Sequence, residues 1–421
     1  MHKNAMVVLK ERGFIEQISD EKLFDLFQET KVTCYVGFDP SGPSLHVGHL
    51  LPIMALSHVH QCGHISIGLI GGGTGMIGDP SGKSEERVLL SEDVLERNSI
   101  SIKAQLEKLL PPGENVILAN NSEWLSKYGL IEFLRDIGKY FRVNEMLTKD
   151  SVKRRMEGEG ISFTEFSYML LQSADFLNLF DNYGCSVQFG GSDQWGNITA
   201  GIDLIRRIRG KTVYGATFPL ITTASGQKLG KTEKGAVYLD PEMTSPYEFY
   251  QYWINTDDRD VIKYLKWFTF LPLSEIDRLS QSLANEPEKR ECQKVLAYEV
   301  TKMIHGKEQA DIAVKTSEIL FGKEISDVSD EMLEEAFKDA PSTELSRQEL
   351  DSGLSIIDAL VKCGICQGRS ASRRLIKAGG VYLNNKRVED ENLIITKDSL
   401  ASSHIALLRT GKKNYHLLKF S

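Results

Sequence analysis

Two histidines three residues apart follow the first strand-like segment of the chain. Residues 32–38 are β-branched and aromatic, and a loop rich in glycine and proline leads on to His46 and His49. Ser44 is a good helix N-cap, so both imidazoles are expected on one face of a helix's first turn. Free N–H groups and the helix dipole favour an anion there. The pair therefore suits a polyphosphate, and Gly48 between them leaves room for a flat base.

A second cationic group lies in a glycine-bracketed segment, residues 226–235. Its sequence, GQKLGKTEKG, includes Lys228, Lys231 and Thr232 and is not expected to form regular structure. A mobile cationic loop can clamp a phosphate group as negative charge develops during a reaction. A solvated charged loop is the alternative for this segment.

A polar stripe runs along a helix predicted over residues 163–180. Most of this helix is apolar, but Tyr168, Gln172 and Asp175 recur at a helical spacing. A helix that is apolar on its other sides is buried, and a buried carboxylate needs a partner. The pattern leaves two interpretations open, a stripe that faces a binding site or one that faces solvent.

Two glycine-rich turns add further polar groups at the ends of predicted strands. Residues 190–197, GGSDQWGN, contain Gly191, Asp193 and Gln194, and residues 71–82 contain three consecutive glycines and Asp79. Small residues let a ligand approach the backbone. The second turn resembles a phosphate loop, but its spacing is not that of a Walker A sequence.

The elements that must position these residues alternate between strands and helices. Strands are predicted at 32–38, 65–70, 115–119 and 186–189, with helices at 50–60, 91–110 and 164–180 between them. This alternation predicts βαβ units and a parallel sheet, an α/β fold. Ligands of such sheets bind at the carboxyl ends of the strands, which is where the polar turns fall.

Composition narrows the class of protein. The chain has 421 residues, of which 41% are hydrophobic and 26% charged, so a mostly disordered chain is excluded. No apolar run is long enough for a membrane span, and the mixed charges of the first thirty residues do not fit a targeting peptide. A cytoplasmic protein with reduced cysteines is expected. Cys363 and Cys366 have metal-site spacing without further ligands nearby, so no protein-bound metal is expected.

Charge is concentrated at the carboxyl end. Residues 354–421 contain 12 Lys and Arg against 5 Asp and Glu, a net charge of +7, whereas the rest of the chain carries −15. Residues 370–377 are predicted as a helix that ends at Gly379-Gly380, followed by a hairpin turning at Asn384-Asn385. A basic helix face beside a basic hairpin suits a phosphate backbone. The candidate RNA-binding residues are Arg369, Arg373, Arg374, Lys377, Lys386 and Arg387.

Taken in order, these motifs resemble the class I aminoacyl-tRNA synthetases of the bacterial tyrosyl type over essentially the whole chain. The sequence HVGH at residues 46–49 is similar to the HIGH signature, and KLGKT at 228–232 is similar to the KMSKS loop. The stretches YVGFDP at 35–40 and GGSDQWGN at 190–197 are similar to tyrosyl-specific motifs. Residues 354–421 resemble a small RNA-binding domain shared with a ribosomal small-subunit protein.

The resemblance implies five segments. They are a Rossmann-like catalytic domain (1–225), a mobile loop (226–240), an α-helical domain on the anticodon side of tRNA (241–325), an acidic linker (326–352) and a basic α+β RNA-binding domain (353–421).

The resemblance also implies a two-step reaction. L-tyrosine and ATP give tyrosyl-adenylate and pyrophosphate, and the tyrosyl group then moves to the 3′-terminal adenosine of tRNA(Tyr). The nucleophile of the first step is the ionised carboxylate of tyrosine, so catalysis consists of positioning and charge stabilisation. ATP is expected to bring Mg²⁺ with it, and a homodimer is expected.

Roles for the candidate residues follow from the same resemblance. The catalytic residues would be His46, His49, Lys83, Arg87, Lys228, Lys231 and Thr232, with Asp39, Gly48, Gly191 and Asp193 completing the ATP site. Tyr35 and Asp175 would bind the tyrosine phenol, and Asp79, Tyr168, Gln172 and Gln194 its ammonium group. Phenylalanine would leave Tyr35 and Asp175 unpaired, which explains its rejection.

Three alternative functions share parts of this pattern. A tryptophan-specific ligase of the same fold would be expected to lack the basic domain and the pair Tyr35 and Asp175. A small-metabolite adenylyltransferase would share the histidine motif but be much shorter. A catalytically inactive RNA-binding paralogue is disfavoured by the intact histidines and lysines.

Overall fold

Two compact units make up the chain. The computed structural model describes residues 4–82, 89–158, 160–232, 235–320, 325, 328–338, 340–411 and 414–421, with the backbone alone at Lys231, Thr232 and Leu320. The first unit comprises residues 1–245 and 252–304, and the second comprises residues 246–251 and 305–421.

A six-stranded sheet forms the centre of the first unit. Its strands are β1 (Gln17–Ile18), β2 (Thr33–Phe38), β3 (Ile65–Ile70), β4 (Val116–Asn120), β5 (Cys185–Gly191) and β6 (Tyr214–Phe218). Their order across the sheet is β1-β6-β5-β2-β3-β4, and β1 alone of these six is antiparallel to its neighbour. The chain reverses its direction of winding between β2 and β5, which is the point where such sheets bind ligands.

The predicted parallel sheet is confirmed, and the strand bounds agree closely with the predictions. The strand β3 occupies the predicted residues, and Ile67, Leu69 and Ile70 within it are buried. Apolar residues along such a strand are covered by helices on both faces of the sheet, which is typical of parallel α/β folds. A further two-stranded ribbon, β7 (Lys231–Thr232) and β8 (Gly235–Ala236), forms within the segment predicted to be irregular.

Helices connect and cover the strands of the first unit. They are α1 (Ala5–Glu11), α2 (Lys22–Glu29), α3 (Leu50–Gln61), α4 (Glu92–Leu109), α5 (Ser122–Leu125), α6 (Leu130–Asp136), α7 (Val143–Met146), α8 (Asp150–Met156), α9 (Phe163–Tyr183), α10 (Trp195–Arg209), α11 (Pro246–Ile254, divided between the units), α12 (Asp258–Phe268), α13 (Leu273–Asn285) and α14 (Glu291–His305). The long helix α9 begins where the Ser162 hydroxyl accepts the Glu165 N–H, and it ends at Gly184 in the left-handed region (φ 63°).

The expected helical domain 241–325 is not a separate compact unit, since residues 252–304 belong with the sheet. The guanidinium of Arg12, on the turn after α1, donates to the carbonyls of Lys266, Thr269 and Leu271 at 2.6–3.0 Å. The indole of Trp267 donates to the Gly13 carbonyl at 2.9 Å. These buried bonds join the helices to the amino-terminal segment, and they come from residues far apart in sequence.

The second unit is built on a five-stranded sheet. Its elements are α15 (Lys307–Leu320), α16 (Asp330–Ala336), β9 (Ser342–Leu345), α17 (Arg347–Asp351), β10 (Leu354–Ser355), α18 (Ile356–Lys362), α19 (Arg369–Lys377), β11 (Val381–Leu383), β12 (Lys386–Arg387), β13 (Ile394–Ile395), β14 (Ile405–Thr410) and β15 (Asn414–Phe420). The sheet order is β12-β11-β14-β15-β9, and β10 pairs with β13. Leu408 and Leu418 pack with α18 on one face, whereas Leu407 and Leu417 pack with Leu333 on the other.

The interpretation of residues 326–352 as a linker is wrong for the part that the structure describes. The strand β9 pairs in parallel with β15, and Leu345 and Leu350 are buried in the core of the second unit. The acidic side chains of Glu331, Glu334, Glu344 and Asp351 are exposed on short elements, which is why the composition of the segment resembled that of a tether.

The predicted basic helix and hairpin are both present. Helix α19 ends at Ala378 before Gly379, whose φ is 70°, and the turn residues Asn384 and Asn385 have φ of 48° and 64°. Glycine and asparagine tolerate this left-handed conformation, which is why the sequence predicted both features.

Candidate active site

A cavity of about 390 Å³ lies at the carboxyl ends of β2, β3 and β5. It brings together twelve of the predicted site residues: Tyr35, Asp39, Gly48, His49, Asp79, Tyr168, Gln172, Asp175, Gly191, Asp193, Gln194 and Lys228. Lys83 and Arg87 lie outside the described residues, and for Lys231 and Thr232 only the backbone is described. The polar stripe of α9 therefore faces a cavity and not solvent.

The two histidines lie on a short 3-10 turn that precedes α3. The turn spans Val47–His49, and the ring centroids of His46 and His49 are 4.0 Å apart, so the predicted common face is confirmed. The predicted N-cap at Ser44 is wrong, because His46 occupies the N-cap position and the Ser44 hydroxyl donates to the Leu45 carbonyl. The helix begins later than the serine pattern indicated.

The imidazoles cap their own turn. The Gly48 N–H donates to Nδ1 of His46 at 3.0 Å, and the His46 N–H donates to Nδ1 of His49 at 3.1 Å. These two N–H groups are therefore not free for an anion, which corrects the expectation. A neutral ring whose Nδ1 accepts carries its proton on Nε2. In its neutral form, each of the two rings therefore carries its N–H group at Nε2.

Burial keeps His49 neutral. Desolvation, reinforced by the neighbouring His46, lowers the pKa of His49 to about 3. A neutral imidazole that donates from Nε2 is a hydrogen-bond donor for phosphate oxygens over the whole physiological range. The glycine between the rings is required locally, since a Cβ at Gly48 would lie 2.7 Å from Cε1 of His46. The glycine backbone itself lines the cavity.

The lysine loop is joined to the histidine turn. The Val47 N–H donates to the Val237 carbonyl at 3.0 Å, and the Val237 N–H donates to the Gly230 carbonyl at 2.9 Å. A Cβ at Gly230 would lie 2.5 Å from Cγ2 of Val47, and the φ of Gly230 is 82°. Lys228 and His49 line the same cavity, so the two motifs converge on one site.

One part of the cavity holds a buried carboxylate beside a buried hydroxyl. Asp175 is 2% exposed and Tyr35 is 1% exposed, and the Tyr35 hydroxyl has no hydrogen-bond partner among the described residues. Burial raises the pKa of Asp175 to about 8 and raises the pKa of Tyr35 well above its usual value. A ligand hydroxyl could donate to the carboxylate and accept from Tyr35.

Two residues that hold Asp175 were missed by the sequence analysis. The Asn121 amide donates to Oδ2 of Asp175 at 2.8 Å, and the Trp124 indole donates to Oδ1 at 2.7 Å. Asn121 also donates to the Thr74 hydroxyl at 2.9 Å. The available signal was weak: polar residues directly follow the predicted strand at 115–119, where ligand-binding groups are expected.

A second polar cluster surrounds Asp79, which is 7% exposed. Oδ2 of Asp79 accepts from Nε2 of Gln194 at 2.6 Å, and Oδ1 accepts from the Ser81 N–H at 3.0 Å. Nearby, the Tyr168 hydroxyl donates to Oδ2 of Asp39 at 2.8 Å. Burial, followed by the carboxylates of Asp39 and Asp79, raises the pKa of Tyr168 well above its usual value. Asp39, predicted on the ATP side, thus also contacts a residue predicted to bind ammonium.

The third part of the cavity contains Asp193, Gly191 and Lys228. Desolvation and then the charge of Asp79 raise the pKa of Asp193, while Lys228 opposes this. A Cβ at Gly191 would lie 2.6 Å from Oδ1 of Asp193, so the glycine makes room for this carboxylate. A carboxylate beside a bare backbone suits the hydroxyl groups of a sugar.

The charges that line the cavity specify its ligand. Among the described lining residues are four aspartates, at 39, 79, 175 and 193, and a single lysine, Lys228. Because its pKa of about 8 leaves Asp175 largely protonated at pH 7, the other three carboxylates are the ones that need compensation, and a ligand with a cationic group supplies it. Among the lining residues, His49 and Lys228 add donors for an anion, whereas His46 lies beside His49 and is not among the described lining residues. The arrangement fits an amino acid together with a nucleotide.

The basic surface of the second unit is partly neutralised. Arg369, Arg373, Arg374, Lys377, Lys386 and Arg387 are all exposed. Arg369 forms a bidentate pair with Asp358 of α18 at 2.8 Å, and Lys377 lies 3.4 Å from Glu391. Helix α19 itself contains no acidic residue, but the tertiary structure supplies these two partners from outside it.

Comparison with known proteins identifies the family. Residues 28–322 match the family described as tRNA synthetases class I (W and Y), and residues 332–418 match the tyrosine--tRNA ligase SYY-like C-terminal domain. The tyrosine--tRNA ligase of Roseiflexus castenholzii is 50% identical over 98% of each chain, and that of Desulfitobacterium hafniense is 49% identical over 99% of each.

A solved structure agrees with this assignment. The C-terminally truncated mitochondrial tyrosyl-tRNA synthetase of Aspergillus nidulans is 38% identical, with a TM-score of 0.70 over 76% of this chain and 94% of that one. The predicted α/β class is confirmed, and neither the tryptophan-specific nor the inactive alternative is favoured. The chain belongs to the tyrosine--tRNA ligases, a family of class I aminoacyl-tRNA synthetases.

Proposed function

We propose that this enzyme activates L-tyrosine with ATP and transfers the tyrosyl group to tRNA(Tyr), using the cavity between β2 and β5. The observation that carries the proposal is the buried pair of Asp175 and Tyr35 in the same cavity as His49 and Lys228. A phenol can form hydrogen bonds with both Asp175 and Tyr35. A triphosphate can accept hydrogen bonds from His49 and Lys228.

Selection of tyrosine would rest on hydrogen bonds that phenylalanine cannot make. The tyrosine phenol would donate to Asp175 and accept from the Tyr35 hydroxyl, which has no hydrogen-bond partner in the described part of the chain. Phenylalanine would leave both polar groups desolvated and unpaired, and an unsatisfied buried polar group costs about 1–3 kcal/mol. The same argument excludes tryptophan, whose indole N–H is a donor without an acceptor function.

The ammonium group of tyrosine would lie against Asp79, Tyr168 and Gln172, with Gln194 bonded to Asp79. This placement compensates the negative charge of the cavity. It also directs the carboxylate of tyrosine toward the side where the histidines and Lys228 lie.

Adenylate formation would need no protein base, because the attacking carboxylate is already ionised. Nε2–H groups of His46 and His49 would donate to phosphate oxygens of ATP, supplied as its Mg²⁺ complex. Lys228, Lys231 and Thr232, with Lys83 and Arg87, would offset the charge that develops on the departing pyrophosphate. Gly191 and Asp193 would bind the ribose, and Asp39 and Gly48 would complete the ATP site.

We further propose that the second unit binds tRNA. Its candidate contacts are Arg369, Arg373, Arg374, Lys377, Lys386 and Arg387. Arg373 and Arg374 are its best candidates for phosphate contacts, since they are exposed and no ion pair is found for them within the described residues. Arg369 would have to exchange Asp358 for phosphate. The helices over residues 241–325 would lie on the anticodon side.

We propose a cytoplasmic location and a homodimer. Among the described residues, no helix combines the length and apolarity needed to cross a bilayer. Large exposed apolar side chains concentrate in residues 130–163: Leu130 (72% exposed), Ile131 (74%), Leu134 (44%), Val143 (59%), Met156 (53%) and Phe163 (76%). Exposed apolar clusters of this kind mark protein interfaces, and a second copy of the chain is the proposed partner.

The dimer is tested by light scattering during gel filtration. Ile131→Asp would place a charge in the proposed interface, and the expected result is a monomer. The matched control, Ile100→Asp, changes an apolar residue that is 63% exposed outside the patch and should leave the dimer intact. A wild-type monomer at micromolar concentration would refute the proposal.

The reaction is tested by tyrosine-dependent exchange of pyrophosphate into ATP, followed by single-turnover adenylate formation. Lys231→Ala should slow adenylate formation by roughly 10²–10³, the scale of one lost charge-stabilising donor. Lys211→Ala, which removes an exposed lysine elsewhere in the first unit, is the control. An unchanged rate for Lys231→Ala would remove the loop from the mechanism.

A further inference from the structure

A buried asparagine lies directly behind the cluster proposed to bind ammonium. Asn197, near the start of α10, is 3% exposed and is not among the described residues that line the cavity. Its Nδ2 lies 3.0 Å from Oε1 of Gln172, 3.2 Å from Oε1 of Gln194 and 3.4 Å from Oγ of Ser81. All three neighbours line the cavity, so Asn197 contacts its wall from outside.

The direction of these hydrogen bonds follows from the chemistry of Asp79. A carboxylate only accepts, so Gln194, whose amide is 2.6 Å from Oδ2 of Asp79, must present its NH₂ group there. Its oxygen is then turned toward Asn197, which must donate. The remaining hydrogen of the Asn197 amide serves the oxygen of Gln172. The carboxylate of Asp79 therefore determines which atoms donate and which accept in the hydrogen bonds that join Gln194, Asn197 and Gln172.

We propose that Asn197 is a positioning residue of the tyrosine site that fixes the orientations of Gln172 and Gln194. Through Gln194 it also holds the Asp79 carboxylate, whose other oxygen is held by the Ser81 N–H. Without the two donated hydrogens, either glutamine amide can turn over. A turned Gln194 would bring its oxygen against Asp79, and a turned Gln172 would place its NH₂ group where Oε1 now lies.

This inference rests on the proposed function, because it assumes that the ammonium group of tyrosine binds beside Asp79 and Gln172. It concerns one end of the substrate only. Asp175 and Tyr35, proposed to bind the phenol, are held by other residues, Asn121 and Trp124 in the case of Asp175. Loss of Asn197 should therefore weaken recognition of the ammonium group and spare recognition of the phenol.

The test compares two inhibitors of tyrosine-dependent pyrophosphate exchange. Tyramine keeps the phenol and the ammonium group, whereas 3-(4-hydroxyphenyl)propionate keeps the phenol and lacks the ammonium group. In Asn197→Ala, the inhibition constant of tyramine should rise about 10- to 100-fold, the effect of losing one to two hydrogen bonds at a buried group. In the same variant, the inhibition constant of 3-(4-hydroxyphenyl)propionate should change by less than about threefold.

Asn98→Ala is the matched control. Asn98 is also a buried helical asparagine, 6% exposed, and its Nδ2 donates to the Pro40 carbonyl at 3.0 Å. It should show a comparable loss of melting temperature with no change in the ratio of the two inhibition constants. If Asn197→Ala does not fold, Asn197→Thr, which conserves volume and retains at most one donor, should shift the ratio in the same direction.

Three outcomes are distinguishable. A selective loss of tyramine affinity supports the positioning role. If the wild type is active but Asn197→Ala weakens the binding of both inhibitors equally, or leaves the affinity for tyramine unchanged, the positioning role is overturned. Absence of tyrosine-dependent exchange in the wild type would overturn the proposed function itself, and with it this inference.

Discussion

Replacing Asp175 by asparagine should remove a pH-dependent loss of stability from the ligand-free enzyme and destroy its selectivity, although the asparagine NH₂ group would face the Asn121 or the Trp124 donor. Asp175 lies 2% exposed within the cavity, and burial raises the pKa of its carboxyl to about 8. In the unfolded chain, the pKa of the same carboxyl returns to about 4. The folded state therefore binds one more proton than the unfolded state between these two values.

The sign and size of the effect follow from this difference. Because the pKa of Asp175 is raised in the folded state, this carboxyl does not reduce the free energy of unfolding below a pH of about 4. The reduction grows as the pH rises toward about 8. The slope is about 1.4 kcal/mol per pH unit, so the free energy of unfolding should lose about 4 kcal/mol between pH 5 and pH 8 through this group alone. Asparagine has no such cost, since it stays neutral at every pH.

Urea unfolding at pH 5, 6, 7 and 8 without tyrosine measures this contribution. The difference in unfolding free energy between Asp175→Asn and the wild type should grow with pH in favour of the variant. Asp277→Asn, at an exposed position of α13, reports the effect of the substitution without burial. Parallel pH curves for Asp175→Asn and the wild type would refute the buried-carboxylate reasoning. An unaltered preference for tyrosine over phenylalanine would remove Asp175 from the pocket.

Three further variants test the lysine loop, the phenol pocket and the RNA surface. Gly230→Ser should slow adenylate formation about 10- to 100-fold, since a side chain at φ 82° is strained and would collide with the histidine turn; stopped-flow rates equal to the wild type would contradict this. Trp124→Phe removes one donor to Asp175 and should raise the KM for tyrosine about tenfold with the KM for ATP unchanged. The double variant Arg373→Glu, Arg374→Glu should preserve pyrophosphate exchange and reduce tRNA charging. The difference in charging between this variant and the wild type should become smaller as added salt weakens tRNA binding by the wild type. Full charging by the variant would exclude the proposed RNA surface.

Local patterns in the sequence predicted much of the sheet and the position of the site. The strand at residues 65–70 and the hairpin turn at Asn384-Asn385 depend on neighbouring residues only, and both are present as predicted. The polar turns that follow the strands also converge as expected, because parallel strands place their carboxyl ends along one edge.

Features that depend on distant contacts could not be predicted in this way. Asn121 and Trp124 bind Asp175 from positions more than fifty residues away, and no spacing rule connects them. Residues 342–345 read as part of a tether, although their pairing with the last strand of the chain makes them part of a sheet. His46 and not Ser44 is the N-cap, because the two imidazoles accept the N–H groups of the turn. The general preference for serine at N-caps does not predict this arrangement.

A crystal structure with a non-hydrolysable tyrosyl-adenylate analogue tests the central claim most directly. The account predicts the phenol oxygen within hydrogen-bonding distance of Asp175 and Tyr35, and the ammonium nitrogen within that distance of Asp79 and Gln172. It also predicts the phosphate mimic beside His49, with the ribose at Asp193. An analogue bound elsewhere, or bound with its phenol directed away from Asp175, would contradict the account.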